Sequence, residues 1–555
     1  MKTAVLTCIC LLFCLSPVSL KAQTEEEHPA LELSAEAWQE DLASLQKTIH
    51  TNFPFLLKKI SPEEFDAAVS ELHDKIPSMQ PHEIMVGLAR IVASIKYGHT
   101  QLAYWEQKVP YHQLPIILYE YEDGIFIQGV HQDNASLAGA RVVAVEGVPI
   151  MKVKQQMLPV IPAENEQFAK GYGIHYMTFP EFLHAQGVIP ELKMSIDLTV
   201  EQEGKTFDVS LEAVKAQRFP RQYGMVQPGT DWVDARDTTQ TPLYLKNLEK
   251  IYFYEYLEEE KVVYVRHSQI QDDPSQNIPQ FYAELFDFIE NNDVEKLIID
   301  VRLNGGGNNY KNKPIITGLI KSEKINQPGK LMVIIGRRTF SACQNLVNEM
   351  DNYTNAIFVG EGTGENINFY GDTRPVELSN SGMKAYLSFA WWQDKPQWEN
   401  DDALYPQIEA VQTFEDYRTN NDPALEAALK FKDTTYIANP MEYLTGLFME
   451  GKMAEVRSEA ARMVRDPNYA YYDFMTAFDT AGNQLLAGGQ VMEAGFVIDM
   501  TLEMYPEAPE LWLTKAGILM KQEKGEEAAT WLKKLLESEA SSDLKAKAQA
   551  LLDSQ

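Results

Sequence analysis

"LMVIIGRRTFSACQN", residues 331–345, passes from five apolar residues through a polar turn into a segment with helical spacing. An unbroken apolar run that ends in a turn and a helix reads as a strand buried on both faces. The same pattern recurs around it. "KVVYVRH" (261–267) is a strand and "QFYAELFDFIEN" (280–291) a helix; "KLIIDVR" (296–302) is a strand, "NLVNEMDNY" (345–353) a helix and "AIFVG" (356–360) a strand. Short apolar strands alternating with helices imply crossover connections, a largely buried sheet, and functional loops at the carboxyl ends of the strands. Residues 225–428 are read as this α/β unit.

The flanking regions follow other patterns. Residues 23–107 read as a helical domain, with "AWQEDLASLQKTI", "SPEEFDAAVSELHDKI" and "PHEIMVGLARIVASI" as its helices. In the second, Ser61, Pro62 and Glu64 make a capping-box start with proline in the first turn. Residues 108–215 hold short strands such as "LPIILYEY", "GIFIQGV" and "KTFDVSLEAV", a small β-rich domain with a polar segment through 155–185. Residues 430–555 are nearly all helical. Ala494 and Ala529 stand 35 residues apart in similar contexts, close to the 34-residue tetratricopeptide period, so a degenerate repeat and an irregular helical bundle are both open. Such a tail offers a surface for a protein partner and no chemistry. At 555 residues the chain exceeds what one hydrophobic core supports, which agrees with several units.

Residues 1–22 are expected to be a signal peptide, with Lys2 before the apolar stretch "AVLTCICLLFCL" and cleavage after Ala22. The stretch is too short for a membrane span, and no later segment reaches that length, so no integral membrane segment is expected. Lipid anchoring at Cys14 is the alternative, with bulky Phe13 against it. An exported chain, periplasmic or secreted, follows from this reading. Three of the four cysteines, Cys8, Cys10 and Cys14, lie in the leader, so the remaining Cys343 has no internal disulfide partner and is read as buried packing. The formal charge is −31, or −33 without the leader's Lys2 and Lys21, which argues against nucleic acid or an anionic membrane as a partner. No zinc-ligand spacing, nucleotide fingerprint or calcium loop is present. No metal or organic cofactor is expected.

Ser341 stands where the strand gives way to the helix. It is either a helix cap or a nucleophile, because free backbone N–H groups at that position serve a capping hydroxyl and an oxyanion equally well. "IIDVRLNGGGNN" (298–309) favours chemistry: a buried strand runs into three consecutive glycines, Gly305, Gly306 and Gly307, which allow close backbone approach. One of their N–H groups joined to that of Ala342 would hold an oxyanion. No Gly-Lys-Ser/Thr follows, so this is not a phosphate loop. A serine nucleophile needs a base. The ten histidines end at His267, so an imidazole base must come from the N-terminal side. His99, in a turn after a helix, and His267, after a strand, both qualify. Lys384 and Lys395 are the lysine alternatives. For an orienting acid, "WWQDKPQWENDD" offers Asp394, Glu399, Asp401 and Asp402.

Together "DVRLNGGGN", "GRRTFSA", "GEGTGENINFYGD" and "KYGHTQL" resemble the S41 serine peptidases, the family of carboxyl-terminal processing and tricorn-type proteases. The resemblance covers most of residues 30–428. It implies a multidomain α/β protein with a crotonase- or ClpP-like peptidase core, an N-terminal helical cap and a PDZ-like domain. "GARVVAVEGVPI" (139–150) carries the PDZ-like likeness, and a tetratricopeptide-like tail follows the core. Ser341 matches the nucleophile, and Ala342 with Gly305 or Gly306 matches the oxyanion donors. Processing members use lysine as base, but this chain reads Gly364-Glu365-Asn366 at that place. Tricorn-type members use histidine and a later glutamate, which match His99 and Glu399. Tyr97 and Gln407 depart from the aspartates of that pattern. The implied activity is an exported serine endopeptidase acting on polypeptides. An inactive peptide-binding scaffold and an esterase on the same core are its rivals.

Overall fold

In the strand Leu331–Ile335, Leu331, Val333 and Ile335 belong to one apolar cluster, while Met332 and Ile334 belong to another. Side chains alternate across a strand, so an apolar residue at every position demands cover on both faces. Each fully buried Leu, Ile or Val contributes roughly 1.5–3 kcal/mol, enough to make the doubly covered arrangement dominate. The computed structural model describes residues 31–553 except 228, 230, 399, 400, 432–435, 470 and 471. The expected leader and its three cysteines lie outside the described residues.

The central sheet has six strands in the order Tyr252–Leu257, Val262–His267, Lys296–Asp300, Leu331–Ile335, Ile357–Gly360 and Ile408–Glu409. The first pair is antiparallel and the others are parallel, as the strand-and-helix pattern requires. Helices Ile278–Asn291, Lys313–Lys321 and Ala342–Tyr353 cover one face through residues such as Leu285, Leu319 and Leu346. Helix Pro423–Lys430 contributes Ala424 and Ala428 to the other face.

The tail extends that second cover. Leu444, Met463, Phe474 and Phe478 join the same cluster as Ile298, Met332 and Ile334. Helices of the tail begin at Pro440, Phe474 and Pro509, each followed by a partner helix. Farther along, the tail packs on itself: Ala494, Ile498, Leu511 and Ile518 form one cluster, and Trp512, Leu532 and Leu535 belong to another.

Helices Ala35–Asn52, Pro62–Lys75 and Pro81–Ala93 pack beside an antiparallel sheet whose longer strands are Ile116–Tyr121, Gly124–His131, Arg141–Val145, Ser195–Gln202 and Lys205–Glu212. The Ser61–Glu64 capping box is formed. Trp38, Leu42, Leu88, Ile127, Val142 and Leu198 all belong to one cluster, so a single core spans the divide read at residue 107. A hairpin of Phe369–Glu377 and Lys384–Trp392 leaves the α/β unit and takes Gln101–Leu102 as its third strand. At its tip, Asp41 accepts the N–H groups of Asn380 and Ser381 at 2.9 and 2.8 Å. That hairpin fastens the N-terminal unit to the α/β unit. Among the described residues, no helix is long and apolar enough to cross a membrane.

Candidate active site

The turn after Leu331–Ile335 is cross-braced. The Thr339 hydroxyl donates to the Val301 carbonyl at 3.0 Å and accepts the Gly336 N–H at 3.1 Å. The chain then enters helix Ala342–Tyr353 through Ser341, whose φ is 57° and ψ −129°. A non-glycine residue held there stores roughly 1–3 kcal/mol of strain, which the surrounding structure must hold in place. The Ser341 side chain makes no capping hydrogen bond to its helix. Its Oγ lies 2.9 Å from His99 Nε2. Capping is therefore not what this hydroxyl does.

Room for that turn comes from the glycine loop. A Cβ on Gly306 would stand 2.5 Å from Ser341 Cβ and 2.8 Å from the Phe340 carbonyl oxygen, and its φ is +98°. Asn304 organises the loop: its amide donates to the His267 carbonyl at 2.9 Å, its Oδ1 accepts the Gly306 N–H at 2.9 Å, and its carbonyl accepts the Phe340 N–H at 3.1 Å. Of the three oxyanion candidates, Gly306 thus has its N–H engaged by Asn304. Ala342, first in its helix, has no intrahelical acceptor within reach. Gly305 lines the adjoining cleft.

His99 arrives from the other side of the interface, 242 residues away. Its turn is closed by the Thr100 N–H on the Tyr97 carbonyl at 2.8 Å, and the Thr100 hydroxyl meets that of Ser388 at 2.9 Å. The imidazole lies stacked on Phe340, with ring centroids 4.5 Å apart, and near-parallel to Phe369 at 5.9 Å. Gly98 allows this approach, since a Cβ there would meet the Phe168 ring at 2.4 Å. Burial lowers the His99 pKa, against a smaller opposing pull from Glu164 and Asp372. A neutral, desolvated imidazole is the form that accepts a proton.

Behind the imidazole stand two glutamates. Glu365 is fully buried, with Oε1 3.5 Å from His99 Nδ1 and Oε2 accepting the Ser341 N–H at 2.7 Å. At 3.5 Å the imidazole and carboxyl face each other without a closed hydrogen bond, and both His99 Nδ1 and Glu365 Oε1 lack a hydrogen-bond partner. Burial raises the Glu365 pKa to about 8. Glu164 accepts the Gly98 N–H at 2.7 Å and the Asn366 N–H at 3.3 Å, so it ties the His99 turn to the Glu365 loop. Burial first, and then the charge of Glu365, push its pKa well up. Two like charges in a dry site favour keeping a proton between them.

The other sequence candidates are engaged elsewhere. His267 is buried, with Nδ1 against the Tyr282 hydroxyl at 2.8 Å and Nε2 against the Gln269 carbonyl at 2.9 Å. Lys384 pairs with Glu106 at 3.1 Å and Lys395 with Asp351. Asp394 accepts from Asn345 at 2.6 Å. Asp401 and Asp402 meet the site through their backbone carbonyls, which accept from the Ile367 N–H at 3.3 Å and the Asn165 amide at 2.6 Å. Glu399 lies outside the described residues. Cys343 is buried, with burial raising its thiol pKa, as an inert packing residue requires. Gln407 is structural, accepting the Phe358 N–H at 2.7 Å. Glu164 and Glu365 escaped the sequence reading as site residues. Glu365 carried one signal, since it stands where the lysine-using members have their base; Glu164 carried none.

Beside Ser341 opens a cleft of about 380 Å³ whose lining includes Tyr104, Trp105, Phe168, Tyr172, Phe340 and Gly305. An aromatic cleft of this kind suits an apolar group.

The crystal structure of mature CPAF is similar in fold: the TM-score is 0.50 at 12% identity, over 71% of this chain and 96% of that one. Mature CPAF complexed with lactacystin gives 0.47 at 13% identity over 71% and 97%. Tricorn protease gives 0.36 at 13% identity over 71% of this chain and 36% of that one. No family model and no curated protein sequence matches the chain. At such identities the likeness establishes the fold, and the chemistry rests on the side chains.

Proposed function

From the S41 peptidase fold of this chain, we propose that it is a serine-type endopeptidase with Ser341 as nucleophile and His99 as general base. The observation that carries this reading is the 2.9 Å contact between His99 Nε2 and Ser341 Oγ, made by a serine on a strained strand-to-helix turn. With the ring proton on Nδ1, Nε2 takes the Ser341 proton as Oγ attacks the peptide carbonyl. Oxyanion charge is met by the Ala342 N–H and the glycine loop at Gly305. The tetrahedral intermediate collapses, the C–N bond breaks, and His99 returns the proton to the leaving amine. Water then attacks the acyl ester through the same base, which restores Ser341.

Glu365 is the carboxyl that faces Nδ1 and holds the Ser341 N–H, so we assign it the orienting role that sequence matching gives to Glu399. The substrate is a polypeptide, with an apolar side chain seated in the aromatic cleft. Export, to the periplasm or outside the cell, is proposed on the composition of the first 22 residues. The β-rich unit is proposed to be PDZ-like and the helical tail to be a tetratricopeptide-like docking surface for a protein partner. The test is labelling with a fluorophosphonate, followed by peptide mass spectrometry and by hydrolysis of a denatured protein. Adduct on Ser341, and hydrolysis lost in Ser341→Ala, support the peptidase. Adduct with cleavage of esters alone makes the chain an esterase. A folded chain without adduct or hydrolysis makes it a binding scaffold.

A further inference from the structure

The groups of the proton relay, together with Glu164, also have the make-up of a coordination site. His99, Glu164 and Glu365 each offer one ligand atom, all within 4.8 Å of one another. They come from positions 99, 164 and 365, so no sequence spacing announces them. Two observations separate this trio from an ordinary acidic cluster. Glu365, with a side chain 0% exposed, aims an unpartnered oxygen at His99, and the facing Nδ1 is buried and unpartnered too. Their separation of 3.5 Å is that of two ligands on one tetrahedral ion, since bonds of about 2.0–2.2 Å place neighbouring donors about 3.3–3.6 Å apart.

We propose that His99 Nδ1, Glu365 and Glu164 form a reversible binding site for a zinc-class divalent cation, and that occupancy switches the catalytic base off. Within a triangle no wider than 4.8 Å, an ion lies about 2.8 Å or less from every donor, so an inward shift of at most about 0.8 Å per donor completes coordination. One imidazole nitrogen and two carboxylates suit zinc. Calcium takes six to eight oxygens and magnesium an octahedron of them, which three donors in a buried site do not provide.

Access does not require the substrate cleft. Glu164 and Lys59 line a separate groove of about 1020 Å³ between the N-terminal helices and segment 151–169. Lys59 is the nearby cation whose charge both acids feel; its ammonium donates to the Lys96 carbonyl at 3.0 Å and lies 4.5 Å from the Tyr97 ring centroid. A cation on Nδ1 leaves the ring proton on Nε2. Nε2 then donates to Ser341 Oγ and cannot take its proton. Binding stands by itself; its effect on catalysis rests on the peptidase reading.

The experiment titrates zinc chloride into the full-length, chelator-stripped Ser341→Ala protein by calorimetry, with cobalt absorption reporting the geometry. One ion per chain is expected, with the intense visible band of a tetrahedral centre. Glu365→Gln and Glu164→Gln, each checked for folding by circular dichroism, should weaken it on the order of 100-fold, and Lys59→Met should tighten it. In the Ser341-containing protein, zinc should abolish fluorophosphonate labelling, a chelator should restore it, and magnesium should do neither. No saturable zinc binding to Ser341→Ala, or binding untouched by both glutamine variants, overturns the proposal. Labelling that proceeds unchanged in zinc overturns the switch and leaves the peptidase reading standing. Zinc bound by the three residues in a chain that never labels keeps the site and sinks the peptidase reading.

Discussion

Ser341 and His99 touch, yet they are held by opposite means. Ser341 is fixed by its own unit: the strand before it, the helix after it, and the Thr339 and Asn304 braces of the neighbouring turns. His99 is fixed by elements of other units, stacked on Phe340, near-parallel to Phe369, and tied through Thr100 to Ser388 of the hairpin. One residue is positioned by backbone geometry and the other by packing across an interface. Backbone geometry stores strain and tolerates no Cβ at Gly306; packing stores none and relies on several contacts at once.

Substitutions can break the comparison, beginning with the chemistry. Ser341→Ala should lower kcat for a denatured protein by about 10⁴-fold or more without altering folding, measured against an intact circular-dichroism spectrum. His99→Ala should cost about 10³–10⁴-fold, and free imidazole should restore part of it, since the space between the Phe340 and Phe369 rings remains. Absence of rescue together with unaltered labelling of Ser341 would remove His99 as base. Gly306→Ala tests the other side: its Cβ has nowhere to go, so kcat should fall about 10²-fold with a loss of about 1–3 kcal/mol in stability.

Glu365→Gln sharpens the contrast, because Glu365 contacts both partners. It should reduce kcat about 10-fold or more, whereas Glu399→Gln should do less, and the reverse ranking would return the orienting role to Glu399. The pH dependence has a defined sign. Activity should rise as His99 loses its proton, with a midpoint below the ordinary histidine value of 6.5 because burial lowers its pKa. Glu365 has a folded pKa of about 8 against an ordinary 4.5, so the folded state retains its proton longer than the unfolded chain does. That contribution to stability is full below pH 4.5 and is lost as pH rises toward 8; denaturant melts of Glu365→Gln should lack this slope. The smallest effect on catalysis should come from Phe478→Ala, which opens the back cover of the sheet and costs about 3–5 kcal/mol in stability while KM at low temperature holds.

Alternation and length made the strands of the α/β unit legible, because a run such as "LMVII" has no other stable environment. Ser341 was legible by place but not by conformation. The usual sign of a strained serine turn is glycine on either side of it, and "TFSAC" has none. Here the space is supplied by Gly306, from a loop on the neighbouring strand, and no local pattern records that. The roles of Glu164 and Glu365 arise from convergence of three distant segments; the place of Glu365 is marked only by the lysine it replaces, and that of Glu164 by nothing. The tail shows the same limit: its helices display apolar faces, but the sequence does not say that Phe474 and Phe478 cover the central sheet.

A site whose two halves belong to different cores has a history as well as a geometry. As the chain lengthens, His99 is made long before Ser341, and the hairpin at 369–392 that joins their units comes later still. Contacts of such sequence separation form slowly, after each core has collapsed. Activity should therefore appear last on refolding, behind the recovery of secondary structure, and an unfinished chain carries only half of the site.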